Sequence, residues 1–395
     1  MREIIINQTE TVTTITLVEN GILIEKYEEK ADQNRLEGNI YIGKVENVLQ
    51  GMQAAFVDIG VKKNTFIHLK DVLPKEDVKN NEKNINKEED IRNILKTGMP
   101  IIVQVKRDST NKKGARVSKH INLPGRYLVL MPNADFITIS QKIEDETEKN
   151  RLIDIVKKIL PKGYGAIIRT SAKGKTEETI KNDINLLLIQ WEKILNKIKN
   201  EKENPILIYQ NPGFIKRFVI DVIDKKIDRI IVNREELYNK TMTILKELSE
   251  VEIPVILNKK DNILNIYDIN DQIEKLSNRK IWLKCGGFIT IDKTEALTAI
   301  DVNSGKYVGK EEPEETKLLV NKEASIEIAR QLKLRDIGGI IIIDYIDMEQ
   351  EKSKNEIINI LKENLKLDRS KTQIAGFSKL NLLEMTRKHM YSNEE

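Results

Sequence analysis

Glu295-Ala296-Leu297-Thr298-Ala299-Ile300-Asp301-Val302-Asn303-Ser304-Gly305-Lys306 and, further on, Gly338-Gly339-Ile340-Ile341-Ile342-Ile343-Asp344-Tyr345-Ile346-Asp347 decide how the chain is read. Each is an apolar run that ends on a carboxylate, the pattern of a buried strand delivering an aspartate to the rim of a sheet. Between them a helix is predicted over roughly Glu315–Leu332, with acids at its start and Arg330, Lys333 and Arg335 near its end, as the helix dipole favours. A strand–helix–strand unit of this length is a crossover, which brings both strand ends to one edge of a parallel sheet. Asp301 and Asp344, with Asn303 beside them, would then make a hard-oxygen site of the kind magnesium takes while keeping most of its waters. Asp-Val-Asn-Ser-Gly is equally turn chemistry, because Asn and Gly tolerate positive φ and Asp caps its own turn. Local spacing leaves both readings open. Asp344 follows four isoleucines, where an unpaired carboxylate is costly unless it reaches solvent or a cation.

Composition narrows the chemistry. The 395 residues are 39% hydrophobic and 32% charged, which suits a globular chain with more than one core. No apolar run approaches the length of about 18 residues that a membrane span needs. The first residues lack a signal-peptide pattern, so a cytoplasmic location is expected. Cys285 is the single cysteine, which excludes an intrachain disulfide and a cysteine-cluster zinc site. His68, His120 and His389 do not cluster, which points to carboxylates and a metal rather than to imidazole or thiol chemistry. A net charge of +4, from 66 basic and 62 acidic residues, decides nothing globally, and any nucleic-acid argument rests on local clusters.

Apolar bursts at Ile4–Ile6, Thr14–Leu17 and Ile22–Ile24, with the hairpin signal Asn20-Gly21, predict a small meander. From Gly38, short glycine-punctuated strands (Ile40–Val45, Ala54–Gly60, Phe66–Leu69, Ile101–Val105) suit a five-stranded closed barrel such as an OB-fold. Phe56 and Phe66 are candidate stacking platforms for single-stranded bases, or else core residues. The basic run Lys106, Arg107, Lys112, Lys113, Arg116 and Lys119, opposed only by Asp108, favours a surface that tracks phosphates. Residues 74–96 read as an exposed polar loop with a short helix at Asp90–Leu95. Tyr127–Met131 and Gly163–Thr170 read as strands, and helices are expected over Glu144–Leu160 and from Glu177, the latter with an apolar face. Arg169-Thr170 at a strand end is suitable chemistry for a terminal phosphate, although a surface arginine is the commoner explanation. A strand is expected at Phe218–Ile223, another at Arg229–Val232, and helices at Glu235–Leu248 and Lys352–Leu365. Two decoys fail: Asp301–Glu312 lacks the EF-hand glycine at its sixth place, and Gly174-Lys175-Thr176 lacks the first P-loop glycine, since Arg169 stands there.

Taken in order, Ala54–Asp58, Gly114–Val117, Leu123–Pro132, Ile168–Thr170, Thr294–Gly305, Arg330–Met348 and Leu383–Lys388 resemble the ribonuclease E/G family along essentially the whole chain. The resemblance implies a multidomain α+β and α/β architecture. Residues 1–35 and 215–278 would form an RNase H-like subdomain. Into it would be inserted an S1-type OB-fold over 36–119 and a 5′-phosphate sensor over 120–214, and a DNase I-like catalytic subdomain would follow over 279–395. It implies that Asp301 and Asp344 hold a catalytic Mg2+, for which Mn2+ could substitute, and that Asn303 assists near the scissile phosphate. Phe56, Phe66, Lys113 and Arg107 would line an RNA channel. Gly125, Val129, Arg169, Thr170 and Lys371 would sense a 5′ monophosphate, Lys371 standing where the family has an arginine. Gln141 and Lys142 replace two arginines common in the family. The implied activity is endonucleolytic hydrolysis of single-stranded, A/U-rich RNA, stimulated by a 5′ monophosphate, in rRNA maturation and mRNA turnover. The family's Cys-x-x-Cys zinc link has no counterpart here, so no zinc is expected, and a homodimer would have to use another surface.

Overall fold

The two aspartate-tipped runs become neighbouring strands, Leu297–Asn303 and Gly339–Asp344, paired in parallel with Asp301 opposite Asp344. The computed structural model describes residues 1–30, 35–73, 90–109, 113–201, 203–211, 213–223, 226–248, 252–305, 313–366 and 368–389. The chain gathers into two compact units, one built from residues 1–32 and 226–393, the other from 33–225.

In the first unit the carboxylate strands sit at the centre of a six-stranded sheet. Its order is Lys280–Trp282, Phe288–Lys293, Leu297–Asn303, Gly339–Asp344, Leu382–Arg387, Thr372–Phe377. The expected crossover is present, its helix running over Pro313–Leu334. It does not lie in a parallel sheet, however, because the remaining pairings are antiparallel. Hairpins make the pairings Lys280–Trp282 with Phe288–Lys293, Phe288–Lys293 with Leu297–Asn303, and Thr372–Phe377 with Leu382–Arg387, and the last hairpin joins Gly339–Asp344 antiparallel through its second strand. Alternation along Leu297–Asn303 buries Thr298, Ile300 and Val302 and leaves Ala299 and Asp301 exposed. The buried side meets Val320, Ala324, Ile328 and Leu332 of the crossover helix and Ile357 and Leu361 of the helix Glu351–Leu365. Helices therefore cover one face of the sheet, and the acids stand on the other.

The same unit holds a five-stranded sheet, ordered Val255–Leu257, Arg229–Val232, Arg2–Gln8, Val12–Glu19, Ile22–Lys30. The expected meander forms its antiparallel part, turning at Asn20-Gly21, where both residues have positive φ.

In the second unit, Ile40–Leu49, Ala54–Asp58, Thr65–His68, Arg116–Ser118 and Pro100–Arg107 follow one another, and the last pairs back onto the first. This is a closed five-stranded barrel of the OB kind. Residues 74–89 of the expected loop lie outside the described residues. Its helix forms at Ile91–Ile94, capped by Asp90. The helix is not merely a surface feature, since Ile91 and Leu95 are buried in the barrel core. A four-stranded sheet of Ile137–Ile139, Gly165–Ile168, Leu128–Met131 and Leu123–Pro124 shares a core with the helices Glu146–Ile159 and Glu177–Asn200. The strand expected at Phe218–Ile223 is wrong. Those residues belong to the helix Gly213–Val222, which buries Phe214, Ile215, Phe218, Val219 and Val222. That spacing is helical, and the β-branched tail at Val219–Ile223 disguises it. No described helix is long and apolar enough to cross a membrane.

Candidate active site

Parallel register places the Asp301 and Asp344 side chains on the open face of adjacent strands, both exposed. Asn303, two residues along the same face, donates from Nδ2 to Asp301 Oδ2 at 2.6 Å. Burial pushes the Asp344 carboxyl above its ordinary range, and the charges of Asp301 and Asp347 push it further. Like charges held at one rim raise the cost of ionising both, and a divalent cation removes that cost. Among the described residues no group of three or more His, Cys, Asp or Glu side chains converges on a metal position. Two carboxylates and an amide are nevertheless a donor set of hard oxygens that suits an ion keeping most of its own waters. The residues present fit magnesium.

Buried polar residues of the crossover helix fix the segment that follows Asp344. Asn321 donates from Nδ2 to the Ile346 carbonyl at 2.8 Å and accepts from the Ile346 N–H at 3.1 Å. Ser325 shares a 2.8 Å hydrogen bond with the Tyr345 hydroxyl. On the Asn303 side, Glu323 accepts from the backbone N–H groups of Lys284 and Cys285. The turn so held packs against Gly305, whose φ is +61° and where a Cβ would lie 2.5 Å from the Gly286 carbonyl oxygen. Asp-Val-Asn-Ser-Gly is thus both a strand end and a turn. The two readings left open by the sequence describe successive residues of one feature.

On the barrel, Phe56 and Phe66 are cross-strand partners with ring centroids 6.2 Å apart, edge to face. Both are half-buried and lie on the side opposite the core-facing Ala55, Val57, Thr65 and Ile67. The core alternative for these rings is therefore wrong. Lys113 and Arg107 are exposed. The segment leading from Lys113 runs beside Phe66, whose N–H donates to the Ala115 carbonyl at 2.8 Å. Lys112 lies outside the described residues. The basic run is less free than its composition suggests. Buried Asp71 accepts from Lys106 Nζ at 3.0 Å and from Arg116 Nη2 and Nε at 2.6 and 2.9 Å. Burial alone would raise the Asp71 pKa, but these partners outweigh it and hold the carboxyl below its usual range. Asp108 accepts from the backbone N–H groups of Leu36 and Glu37, at 2.7 and 2.8 Å.

Gly125, Val129, Arg169 and Thr170 come together at one end of the four-stranded sheet. Val129 lies opposite Ile167, and the Arg169 N–H donates to the Tyr127 carbonyl at 2.8 Å. The Arg169 guanidinium donates to the Gly125 carbonyl at 2.8 Å and pairs with Asp221. Thr170 is exposed and shares a 3.0 Å hydrogen bond with the Ser140 hydroxyl. Asp183 braces the turn by accepting from the N–H groups of Arg126, Tyr127 and Leu128 at 3.1, 2.8 and 3.3 Å. Burial nonetheless raises its pKa. Only glycine fits at 125, where a Cβ would lie 2.7 Å from Asp183 Oδ2. Lys371 belongs to the other unit, is exposed, and accepts at its carbonyl from the Lys388 N–H at 2.9 Å. Asp183 and Asp221 were missed from the sequence, because each meets its partners across a long stretch of chain and leaves no local pattern.

The family described as "Ribonuclease E/G family" matches residues 122–390. The chain is 38% identical over its full length to ribonuclease G of Salmonella typhimurium, covering 81% of that protein. It is also 38% identical over 98% of its length to ribonuclease G of Escherichia coli K12, covering 79% of it. Ribonuclease E of a Nostoc species is 38% identical over 90% of the chain, which spans 52% of that longer protein.

Proposed function

The chain belongs to the ribonuclease E/G family, and from that premise we propose that it is a magnesium-dependent endoribonuclease that cuts single-stranded, A/U-rich RNA and favours substrates with a 5′ monophosphate. It is an endoribonuclease of the E/G type, acting in RNA processing and decay. The observation that carries the finer reading is the in-register pair Asp301 and Asp344 on the open face of the sheet, with Asn303 hydrogen-bonded to Asp301. A magnesium ion held there would supply Lewis acidity at the scissile phosphate. Asp301 and Asp344 would hold it from fixed strand positions, while Asn303 sets the Asp301 carboxylate through its hydrogen bond and would donate near the phosphate. Phe56 and Phe66 offer ring surface for bases, and Lys113 and Arg107 offer charge for the backbone. Arg169 and Thr170, with the Gly125 and Val129 backbone around them, receive the terminal phosphate.

The test mixes the protein with a short A/U-rich RNA bearing either a 5′ monophosphate or a 5′ hydroxyl, in magnesium or in EDTA. Internal cleavage is expected in magnesium only, giving 5′-phosphate products, and faster with the monophosphate. Binding without cleavage in magnesium would instead mark a non-catalytic RNA-binding protein.

A further inference from the structure

A second group of side chains lines up with the carboxylates on the open face of the catalytic sheet. Register sets Lys280 opposite Thr290, Thr290 opposite Asp301, and Asp301 opposite Asp344. The next row on that face is Trp282, Phe288 and Asn303. Residues directly opposite one another across a sheet project on the same side. Trp282 is 60% exposed, so it forgoes much of the stabilisation that burial of its ring would give. It meets Phe288 edge to face at 5.3 Å. Lys280 Nζ lies 4.1 Å from the Trp282 ring centroid and 3.6 Å from that of Phe288.

Arg279, next in the chain, forks Asp292 through Nε and Nη2 at 2.5 and 2.7 Å, with 68% of its side chain exposed. Its pKa is raised by Asp292 and, to a smaller extent, by Asp301, which places the guanidinium within the field of the active-site acid. Exposed rings interleaved with cations are how proteins stack bases while neutralising the adjoining phosphates. The Trp282 and Asn303 strands are separated by two strand spacings, about 10 Å. A strand of RNA running across the sheet from a phosphate at Asp301 would reach the Trp282 ring over that span. The edge strand Lys280–Trp282 could instead pair with a second copy of the chain, but its short length and its lysine, directly after Arg279, discourage such pairing.

We infer that Trp282 and Phe288, with Lys280 and Arg279, form a base-stacking subsite for single-stranded RNA beside the scissile bond, in which Trp282 supplies the principal ring. This rests on reading Asp301 and Asp344 as the cleavage site. The chain has two tryptophans, and Trp191 is 5% exposed, so both emit but contact with a stacked base can quench Trp282 alone, which Trp282→Phe checks. With the cleavage-blocked Asp301→Asn protein in magnesium, an A/U-rich oligonucleotide is expected to quench emission. Adding Trp282→Phe should remove the quench yet leave Kd within about threefold, whereas Trp282→Ala should raise Kd about tenfold, as expected for one lost stacked base. The inference is overturned if the quench persists in Trp282→Phe or if Trp282→Ala binds as tightly as its parent. It is equally overturned if light scattering shows that Trp282→Ala dissociates an oligomer, since the ring would then serve a second copy. Wild-type cleavage is measured in parallel. Failure to cleave in magnesium sinks the active-site reading, whereas cleavage together with an unchanged Trp282→Ala Kd sinks the subsite alone.

Discussion

Asp301→Asn separates catalysis from folding, and the structure sets the size of both effects. Asp301 and Asp344 face each other on adjacent strands, both exposed. Strands lie about 4.8 Å apart, so at the dielectric of water the mutual repulsion is about 0.9 kcal/mol, and salt reduces it. Removing one charge relieves that repulsion. The Asn303 hydrogen bond, 2.6 Å to Asp301 Oδ2, loses its charged acceptor and weakens by a comparable amount, about 0.5 kcal/mol. Without magnesium the variant should therefore unfold within about 0.5 kcal/mol of wild type. With magnesium at about ten times its Kd, wild type should gain about 1.4 kcal/mol and the variant much less. Cleavage should fall on the order of 10³-fold, because a metal site contributes several kcal/mol to the transition state, while RNA affinity stays nearly intact. Thermal unfolding with and without magnesium, run beside a cleavage assay, gives all these numbers. Undiminished cleavage by the variant would refute the metal site. A large loss of stability with the magnesium shift preserved would refute the electrostatic argument.

Arg169→Ala should abolish the advantage of 5′-monophosphorylated over 5′-hydroxyl oligonucleotides while leaving cleavage of the hydroxyl substrate near wild type; discrimination that survives would show that the guanidinium, already paired with Asp221 and the Gly125 carbonyl, is structural. Asp71→Asn should destabilise the barrel by about 2 kcal/mol in urea unfolding, less than for a fully buried pair because Lys106 and Arg116 can regain water. Glu148, which accepts from Arg151 and from the Gly174 N–H, is held down to about pKa 2 by the Arg151 fork first and the Gly174 bond second. Its native pKa lies below its unfolded one, so its contribution is complete above the ordinary glutamate range and is lost as pH falls toward 2. Glu148→Gln should flatten that part of the acid-unfolding profile, and an unchanged slope would show that the fork contributes nothing.

The legible parts of the sequence were those governed by a local period. Alternation at Leu297–Asn303, the apolar tract before Asp344, and the punctuated strands of the barrel each repeat over a few residues, and each became the element expected. The candidate site was legible to the same extent, since two acids at the ends of crossover-linked strands must become neighbours once those strands pair in parallel. Illegible features depend on where a side chain reaches through space. Asp71 binds cations beyond a loop and a strand, Asp221 reaches from a helix to Arg169 at a strand end, and neither carries a periodic signal. Phe218–Ile223 failed for a different reason. Its Phe-Val-Ile-Asp-Val-Ile composition favours a strand locally, while the apolar positions from Phe214 to Val222 share one helical face that tertiary packing rewards.

The crossover helix does more than connect the two acids. The ladder fixes Asp344 between Asp301 and Leu382, but had the helix supplied only an apolar face, the segment that leaves the strand after Asp344 would be unsupported and could pull on that strand end. Asn321 and Ser325 are fully buried polar groups on the same helix, and burying such groups is unfavourable unless their hydrogen bonds are satisfied. They are satisfied here by the backbone of Ile346 and the hydroxyl of Tyr345. Loosening the Asp344 segment would leave these groups unsatisfied in the interior, so the helix core and the active-site rim resist movement together. The two acids can thus remain exposed to solvent, cation and substrate without being mobile, because the rigidity comes from the opposite, buried face of the sheet.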